Sequence, residues 1–272
     1  MKVLAVFGDP IAHSKSPRIH NSAIQALGLN AIYTRFHLTK ASGLRGKIFE
    51  LGLNGANITV PFKEEALKIA DYKDEMALNI GSANTLLVKG REIHAYNTDG
   101  IGFLRAIAEF EGIKSALILG AGGTAKALAF VLFKQGISVS VANRSAGRLK
   151  DFANYNTTLY ESLEIQPFDL IINTTSAGLK DELLPCDERL LKGLLSKTKY
   201  AFEVIYGKQT PFLKLAKECQ IPCKDGASML LWQGVFAFEL FFELCDIKNL
   251  NPLPSTQQKL IVKAMLEALK LS

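Results

Sequence analysis

Residues 116–127 read ALILGAGGTAKA. Ala116–Leu119 is an unbroken apolar run of strand length, and it passes directly into Gly120-Ala121-Gly122-Gly123 and then a helical pattern reaching Gln135. An all-apolar strand is what a parallel sheet covered on both faces requires. Gly120 permits the tight turn, Gly122 lets a diphosphate approach the backbone, and Ala125 is the small residue that allows helix and strand to pack closely. The free N–H groups and positive dipole of the helix start would hold the diphosphate. An ordinary glycine-rich turn is the plainer reading. The strand before it and the helix after it favour dinucleotide binding.

Downstream, a strand over Ser138–Ala142 leads into Asn143-Arg144-Ser145, with Arg148 just beyond. An NAD site asks for Asp or Glu at about this distance. Two guanidiniums and a hydroxyl suit a 2′-phosphate instead, because Arg pairs with phosphate bidentately. A helix to about Ala153 and a strand Phe168–Asn173 continue the alternation.

Upstream, Val3–Phe7, Ile32–His37 and Ala56–Thr59 read as strands, and Pro17–Leu27 as a helix ending at Gly28. Thr85–Val88 and Glu92–Tyr96 flank a Lys89-Gly90 turn and read as a hairpin. A helix from Thr98 to Phe110 follows, and the strand–helix pattern then restarts. The expected class is therefore α/β, with an N-terminal α/β domain over 1–100 and a Rossmann-type, doubly wound domain over 101–229. Two closing helices, Ala227–Cys245 and Ser255–Leu271, would return to complete the first domain from about residue 230 to 272.

Of 272 residues, 48% are hydrophobic and 21% charged, which excludes disorder and coiled coil. The net charge of +6 is scattered, without the Lys/Arg-rich run of a nucleic-acid groove or polybasic membrane patch. Cys186, Cys219, Cys223 and Cys245 form no CxxC pair, so reduced thiols and no metal are expected. The apolar start stops at Gly8-Asp9-Pro10, too short for a signal segment. The Met229–Cys245 stretch carries Gln233, Glu239 and Glu243 and reads as a buried helix. A cytoplasmic, soluble protein is the expectation.

Four motifs in the first hundred residues remain. Ser14-Lys15-Ser16-Pro17 reads as a helix N-cap at Ser16, and two hydroxyls beside a helix start also suit a carboxylate. Asn57-Ile58-Thr59-Val60-Pro61-Phe62-Lys63 places Lys63 near the positive end of a helix, a poor place for a purely structural cation. Taken alone, Lys63 would be a surface lysine. Gly81-Ser82-Ala83-Asn84-Thr85 and Tyr96-Asn97-Thr98-Asp99-Gly100 complete the set. Asp99 alone is a helix-start acid; beside Lys63 it would be half of an acid–base pair.

Together SKS, NITVPFK, ANT, YNTDG, GAGGTAKA, NRSAGR and GASMLLWQG, in this order from residue 14 to 234, resemble the shikimate dehydrogenase family. The resemblance implies reversible NADPH-dependent reduction of 3-dehydroshikimate to shikimate, in the chorismate and aromatic amino-acid pathway. It also implies an active site in a cleft between two domains. On that resemblance Lys63 is the general acid–base residue and Asp99 orients it and the substrate hydroxyl. Ser14 and Ser16 hold the substrate carboxylate, and Thr59, Asn84, Tyr206 and Gln233 bond the ring hydroxyls or carboxylate. Gly120, Ala121, Gly122, Gly123 and Thr124 take the NADP diphosphate, and Asn143, Arg144, Ser145 and Arg148 the 2′-phosphate. Val204, Gly226 and Met229 match positions beside the nicotinamide. Glu75 and Trp232 are left without a role. A small-molecule substrate is the implied partner, with no nucleic acid or membrane, and a homodimer is left open.

Two alternatives compete. An NAD-dependent quinate/shikimate dehydrogenase is opposed by Arg144 and Arg148, and by Ser16 where quinate-preferring relatives tend to carry threonine. A non-catalytic sensor of the same fold could dispense with Lys63 and Asp99, yet both are present.

Overall fold

The computed structural model describes residues 1–244 and 256–270. The chain divides into two compact units, Met1–Gly102 with Leu231–Ser272, and Phe103–Leu230.

The first unit opens with β1 (Lys2–Gly8), α1 (Ser16–Ala26), β2 (Ala31–His37), α2 (Leu44–Glu50), β3 (Gly55–Ile58), α3 (Lys63–Lys68), β4 (Tyr72–Lys73), α4 (Glu75–Ile80), β5 (Thr85–Lys89) and β6 (Glu92–Tyr96). Among the described residues its sheet has six strands in the order β2-β1-β3-β5-β6-β4. β1 pairs in parallel with β2 and β3, while β5 runs antiparallel to both β3 and β6. The β5–β6 hairpin turns at Gly90, whose φ of 64° a residue with a side chain rarely adopts. Leu44, Ile48, Ala56, Ile58, Phe62, Ala66 and Leu86 fill the core on one face of the sheet.

The second unit takes up the chain within α5 (Asp99–Ala106) and continues with β7 (Ser115–Leu119), α6 (Gly123–Lys134), β8 (Ser138–Asn143), α7 (Ala146–Leu149), β9 (Asn156–Leu159), β10 (Phe168–Asn173), α8 (Glu188–Leu195), β11 (Thr198–Glu203), α9 (Pro211–Glu218) and β12 (Cys223–Lys224). Its six strands lie in the order β12-β11-β10-β7-β8-β9, all parallel. The chain thus winds one way from β7 through β8 and β9, then the other way through β10, β11 and β12. That is the doubly wound dinucleotide order, with its switch point between β7 and β10. Leu117, Ile118 and Leu119 are wholly buried, as a central strand covered on both faces must be.

α10 (Ala227–Phe242) carries the chain back into the first unit, where α11 (Thr256–Lys270) buries Ile261, Ala264, Met265 and Ala268. Ser22 of α1 donates to the Ala264 carbonyl at 2.9 Å. The expected ends of these helices at Cys245, Ser255 and Leu271 lie outside the described residues.

Three expectations need correction. Ser16 is not the cap of α1. Lys15 occupies that position without a side-chain cap bond, and Ser16 stands in the first turn with its N–H on Ser14 Oγ at 3.3 Å. The helix expected over Thr98–Phe110 spans Asp99–Ala106, because the chain then tightens, Ala108 N–H reaching the Arg105 carbonyl. The helix expected to Ala153 stops at Leu149 and gives way to a 3-10 turn, Lys150–Phe152. Cys186, Cys219 and Cys223 are free and half-buried; Cys245 is outside the described residues. Among the described residues no helix is long and apolar enough to cross a membrane, and no cluster of ligating side chains could hold a metal.

Candidate active site

β3 and α3 meet in the turn Thr59–Phe62, and this turn places Lys63 at the first position of α3. The Lys63 carbonyl accepts the Ala83 N–H at 2.9 Å, which ties the helix start to the Ala83-Asn84 segment ahead of β5. The Lys63 side chain is 11% exposed, and its Nζ lies 2.7 Å from Asp99 Oδ2, itself 7% exposed. Asp99 is held in the first turn of α5, where its own N–H bonds to Asn97 Oδ1 at 3.1 Å. A buried ammonium and carboxylate in such contact can hold and pass a proton. Removing one partner would strand the other's charge.

Asn84 orients the carboxylate from the other side. Its Nδ2 donates to Asp99 Oδ1 at 2.9 Å, while its Oδ1 accepts the Thr98 N–H at 2.8 Å. Gln233 joins through its Oε1, 3.3 Å from Asn84 Nδ2, and its backbone carbonyl, which accepts from Thr98 Oγ1 at 3.1 Å. Gln233 comes this close because residue 102 is glycine: a Cβ there would stand 2.7 Å from the Gln233 nitrogen. The methyl of Thr59 packs against Gly8, where a side chain would overlap it.

A buried hydrogen-bond chain runs from the helix-start serines to this pair. The Tyr33 phenol accepts from the Ser16 hydroxyl and donates to Asn57 Oδ1 at 2.7 Å. Asn57 Nδ2 donates to Thr85 Oγ1 at 3.0 Å, and Thr85 Oγ1 donates to Asn84 Oδ1 at 3.1 Å. Burial holds the Tyr33 phenol well above its usual pKa, so it stays protonated. Ser14, Ser16, Lys63, Asn84 and Asp99 are thus gathered in the first unit with Gln233 and Thr59. Tyr206 belongs to the second.

In the second unit Gly120 has φ +104°, and a Cβ there would meet Thr174 Oγ1 at 2.7 Å. Over Gly122 nothing among the described residues lies within 4 Å of where a Cβ would stand, which leaves the backbone open to a ligand. α6 begins at Gly123 with no side chain capping it, and Ala125 beneath is wholly buried. A helix start without a side-chain cap, open space over Gly122 and a small packing residue fit a dinucleotide diphosphate. Ala121 and Thr124 flank the turn. The next strand places Asn143, Arg144, Ser145 and Arg148 beside it, since Leu119 pairs with Ala142. Asn143 Nδ2 holds Ser145 Oγ at 3.2 Å, while Arg144, Ser145 and Arg148 are exposed. Val204 follows β11 directly, and Gly226 abuts it so closely that a side chain at 226 would overlap the Val204 carbonyl. Met229 is buried in α10.

Sequence reasoning assigned no role to Tyr33, Asn57, Thr98 or Glu203. The last is wholly buried at the end of β11. Asn57 and Thr98 stand inside quoted motifs, whereas Tyr33 and Glu203 carry no local signal.

Fold and site define a class, the α/β proteins that join the glycine turn of a doubly wound, dinucleotide-type sheet to a buried lysine–aspartate pair. A family model described as the shikimate dehydrogenase substrate binding domain matches residues 6–86. A Helicobacter hepaticus protein named shikimate dehydrogenase (NADP(+)) is 48% identical over 241 residues, covering 87% of this chain and 90% of that one. One of the same name from Methanothrix thermoacetophila is 38% identical over 258 residues, covering 89% and 91%. A Thermus thermophilus shikimate 5-dehydrogenase, solved with NADP(H) and shikimate, superposes with a TM-score of 0.81 at 32% identity, covering 98% of this chain and 100% of that one. The chain belongs to the shikimate dehydrogenase family.

Proposed function

We propose that this chain catalyses the reversible reduction of 3-dehydroshikimate to shikimate with NADPH, the first unit binding the substrate and the second the dinucleotide. The observation that carries the reading is the buried Lys63–Asp99 contact of 2.7 Å, in a chain whose relatives are named for this activity.

Bound nicotinamide supplies or accepts the hydride. Lys63 does the proton work: as the substrate carbonyl gains electrons, the ammonium stabilises the growing charge on oxygen and delivers the proton. Asp99 keeps the lysine pointed at that oxygen and accepts a bond from the product hydroxyl. Ser14 and Ser16 take the carboxylate, and Thr59, Asn84, Gln233 and Tyr206 take the ring hydroxyls or carboxylate. An analogue lacking one hydroxyl leaves a buried group unpaired, which gives selectivity.

Gly120, Ala121, Gly122, Gly123 and Thr124 cradle the diphosphate, with Val204, Gly226 and Met229 towards the nicotinamide. Asn143, Arg144, Ser145 and Arg148, with no acid among them, favour the 2′-phosphate of NADP over the free ribose of NAD. A cytoplasmic setting fits the free thiols at Cys186, Cys219 and Cys223.

The test follows NADPH absorbance with shikimate and NADP+, beside NAD+, quinate and Lys63→Ala. Turnover is expected with shikimate and NADP+, and Lys63→Ala lowers it by about a hundred-fold or more. Faster turnover with NAD+ or quinate overturns the assignment. A folded protein that binds both ligands without turnover overturns the role of Lys63.

A further inference from the structure

The Glu203 carboxylate ends β11 with no exposed surface. Its Oε2 accepts from Asn173 Nδ2 at 2.8 Å and from Thr210 Oγ1 at 2.9 Å, and its Oε1 accepts from the Ile205 N–H at 3.0 Å. Each donor belongs to a different segment. Asn173 ends β10, directly across from Glu203, and its Oδ1 fixes the next turn through the Thr175 N–H and hydroxyl at 3.0 and 2.8 Å. The Thr174 hydroxyl in that turn donates to the Leu119 carbonyl at 2.8 Å and packs on Gly120. Ile205 lies between Val204 and Tyr206, and its carbonyl accepts the Gly226 N–H at 3.1 Å. Thr210 caps α9.

In a doubly wound sheet the ligand lies beyond the carboxyl ends of the strands at the switch point, here between β7 and β10. With the diphosphate on the β7 turn and the adenosine end over β8, the other end of a dinucleotide runs over β10 and β11. We infer that Glu203 is a positioning residue for the nicotinamide end of the dinucleotide, joining the β10 and β11 loops into the surface on which that end rests. The inference depends on the cofactor reading above.

Charge is integral to this role. An ionised carboxylate only accepts, and all three of these donors point at it. A proton added there, or the NH2 of a glutamine, faces a donor and forces one contact open. Around Glu203 stand Asn173 from β10, Thr210 from α9 and the backbone of Val204 and Ile205; among the described residues no charged group bears on its titration. Burial raises its pKa to about 7, so the contact opens on mild acidification.

The experiment is calorimetric titration of the whole protein with NADP+ and, separately, with adenosine 2′,5′-bisphosphate, which has the 2′-phosphate but no nicotinamide. Glu203→Gln is expected to weaken NADP+ about ten-fold and leave the bisphosphate unchanged, a loss the size of one charged hydrogen bond. Glu203→Asp, which keeps the carboxylate one methylene shorter, recovers part of that loss. In the wild type, lowering the pH from about 8 to about 6 weakens NADP+ relative to 2′-phospho-ADP-ribose, which shares its 2′-phosphate and diphosphate but lacks the nicotinamide, so the ratio cancels titration of the phosphates. That series serves equally if the glutamine variant fails to fold. Equal loss of both ligands in the variants, or a ratio flat with pH, overturns the role of Glu203 alone. A wild type that binds neither ligand overturns the cofactor reading and this inference with it.

Discussion

At the residue scale, the Asp99 carboxylate sets the direction of the buried chain behind it. An ionised carboxylate cannot donate, so the Asn84 amide must face it and the Asn84 carbonyl must turn to Thr85 and the Thr98 N–H. That leaves the Asn57 amide for Thr85 and its carbonyl for the Tyr33 hydroxyl. The Tyr33 ring meanwhile stacks on His20, with centroids 4.2 Å apart. His20 is driven by burial to a pKa of about 3 and is neutral, and among the described residues neither ring nitrogen has a hydrogen-bond partner. Tyr33→Phe keeps the stacking and removes only the hydroxyl, leaving a buried Asn57 oxygen without its donor. Urea unfolding should show a loss of about 1–3 kcal/mol. An unchanged midpoint would mean that the Asn57 carbonyl finds another donor. Lys63 and Asp99 are legible in the sequence because their motifs are. Tyr33 stands in an ordinary strand pattern, and only tertiary packing brings its hydroxyl to Ser16 of α1 and, across β1, to Asn57 of β3.

Among the elements, those with a clear period or a punctuating residue are legible: the apolar run of β7, the glycine turn into α6, and the β5–β6 hairpin around Gly90. β4 and β12 are two residues each, too short for any period. β9 reads Asn-Thr-Thr-Leu at a sheet edge with none of its residues buried, so no apolar alternation marks it. At α1 the cap signature misleads, since Ser-Pro is compatible with either the cap or the first turn, and the Ser14 hydroxyl settles it by accepting the Ser16 N–H. α8 shows the regular device: Asp187 accepts the Leu190 N–H at 3.0 Å and buries Leu191, Leu194 and Leu195 behind it. Asp187→Ala should lower stability by about 1 kcal/mol in chemical denaturation. A loss well above that would show that Asp187 does more than cap.

For the whole molecule, the Glu203 carboxyl gives a stability trend opposite in sign to its effect on cofactor binding. Its pKa is raised from 4.5 unfolded to about 7 folded, so the native state holds the extra proton between those values. Stability is therefore greatest below the unfolded pKa and declines as pH rises towards 7, by about 3 kcal/mol at most. Urea midpoints measured from about pH 5 to about pH 7 should fall in the wild type and fall less in Glu203→Gln. Parallel curves would show that Glu203 is ionised throughout.

The sequence by itself determined the α/β class, the doubly wound dinucleotide unit and the motifs of the family, because these rest on local rules: an apolar strand, a glycine turn, a small residue beneath the helix. Tertiary structure decided which polar groups meet. Glu203 finds Asn173 only through the β10–β11 register, Tyr33 finds Asn57 only across β1, and Gln233 reaches Asn84 only because the chain returns into the first unit. Hydrogen bonds between residues distant in sequence leave no periodic trace. Burial and register alone bring their partners within reach.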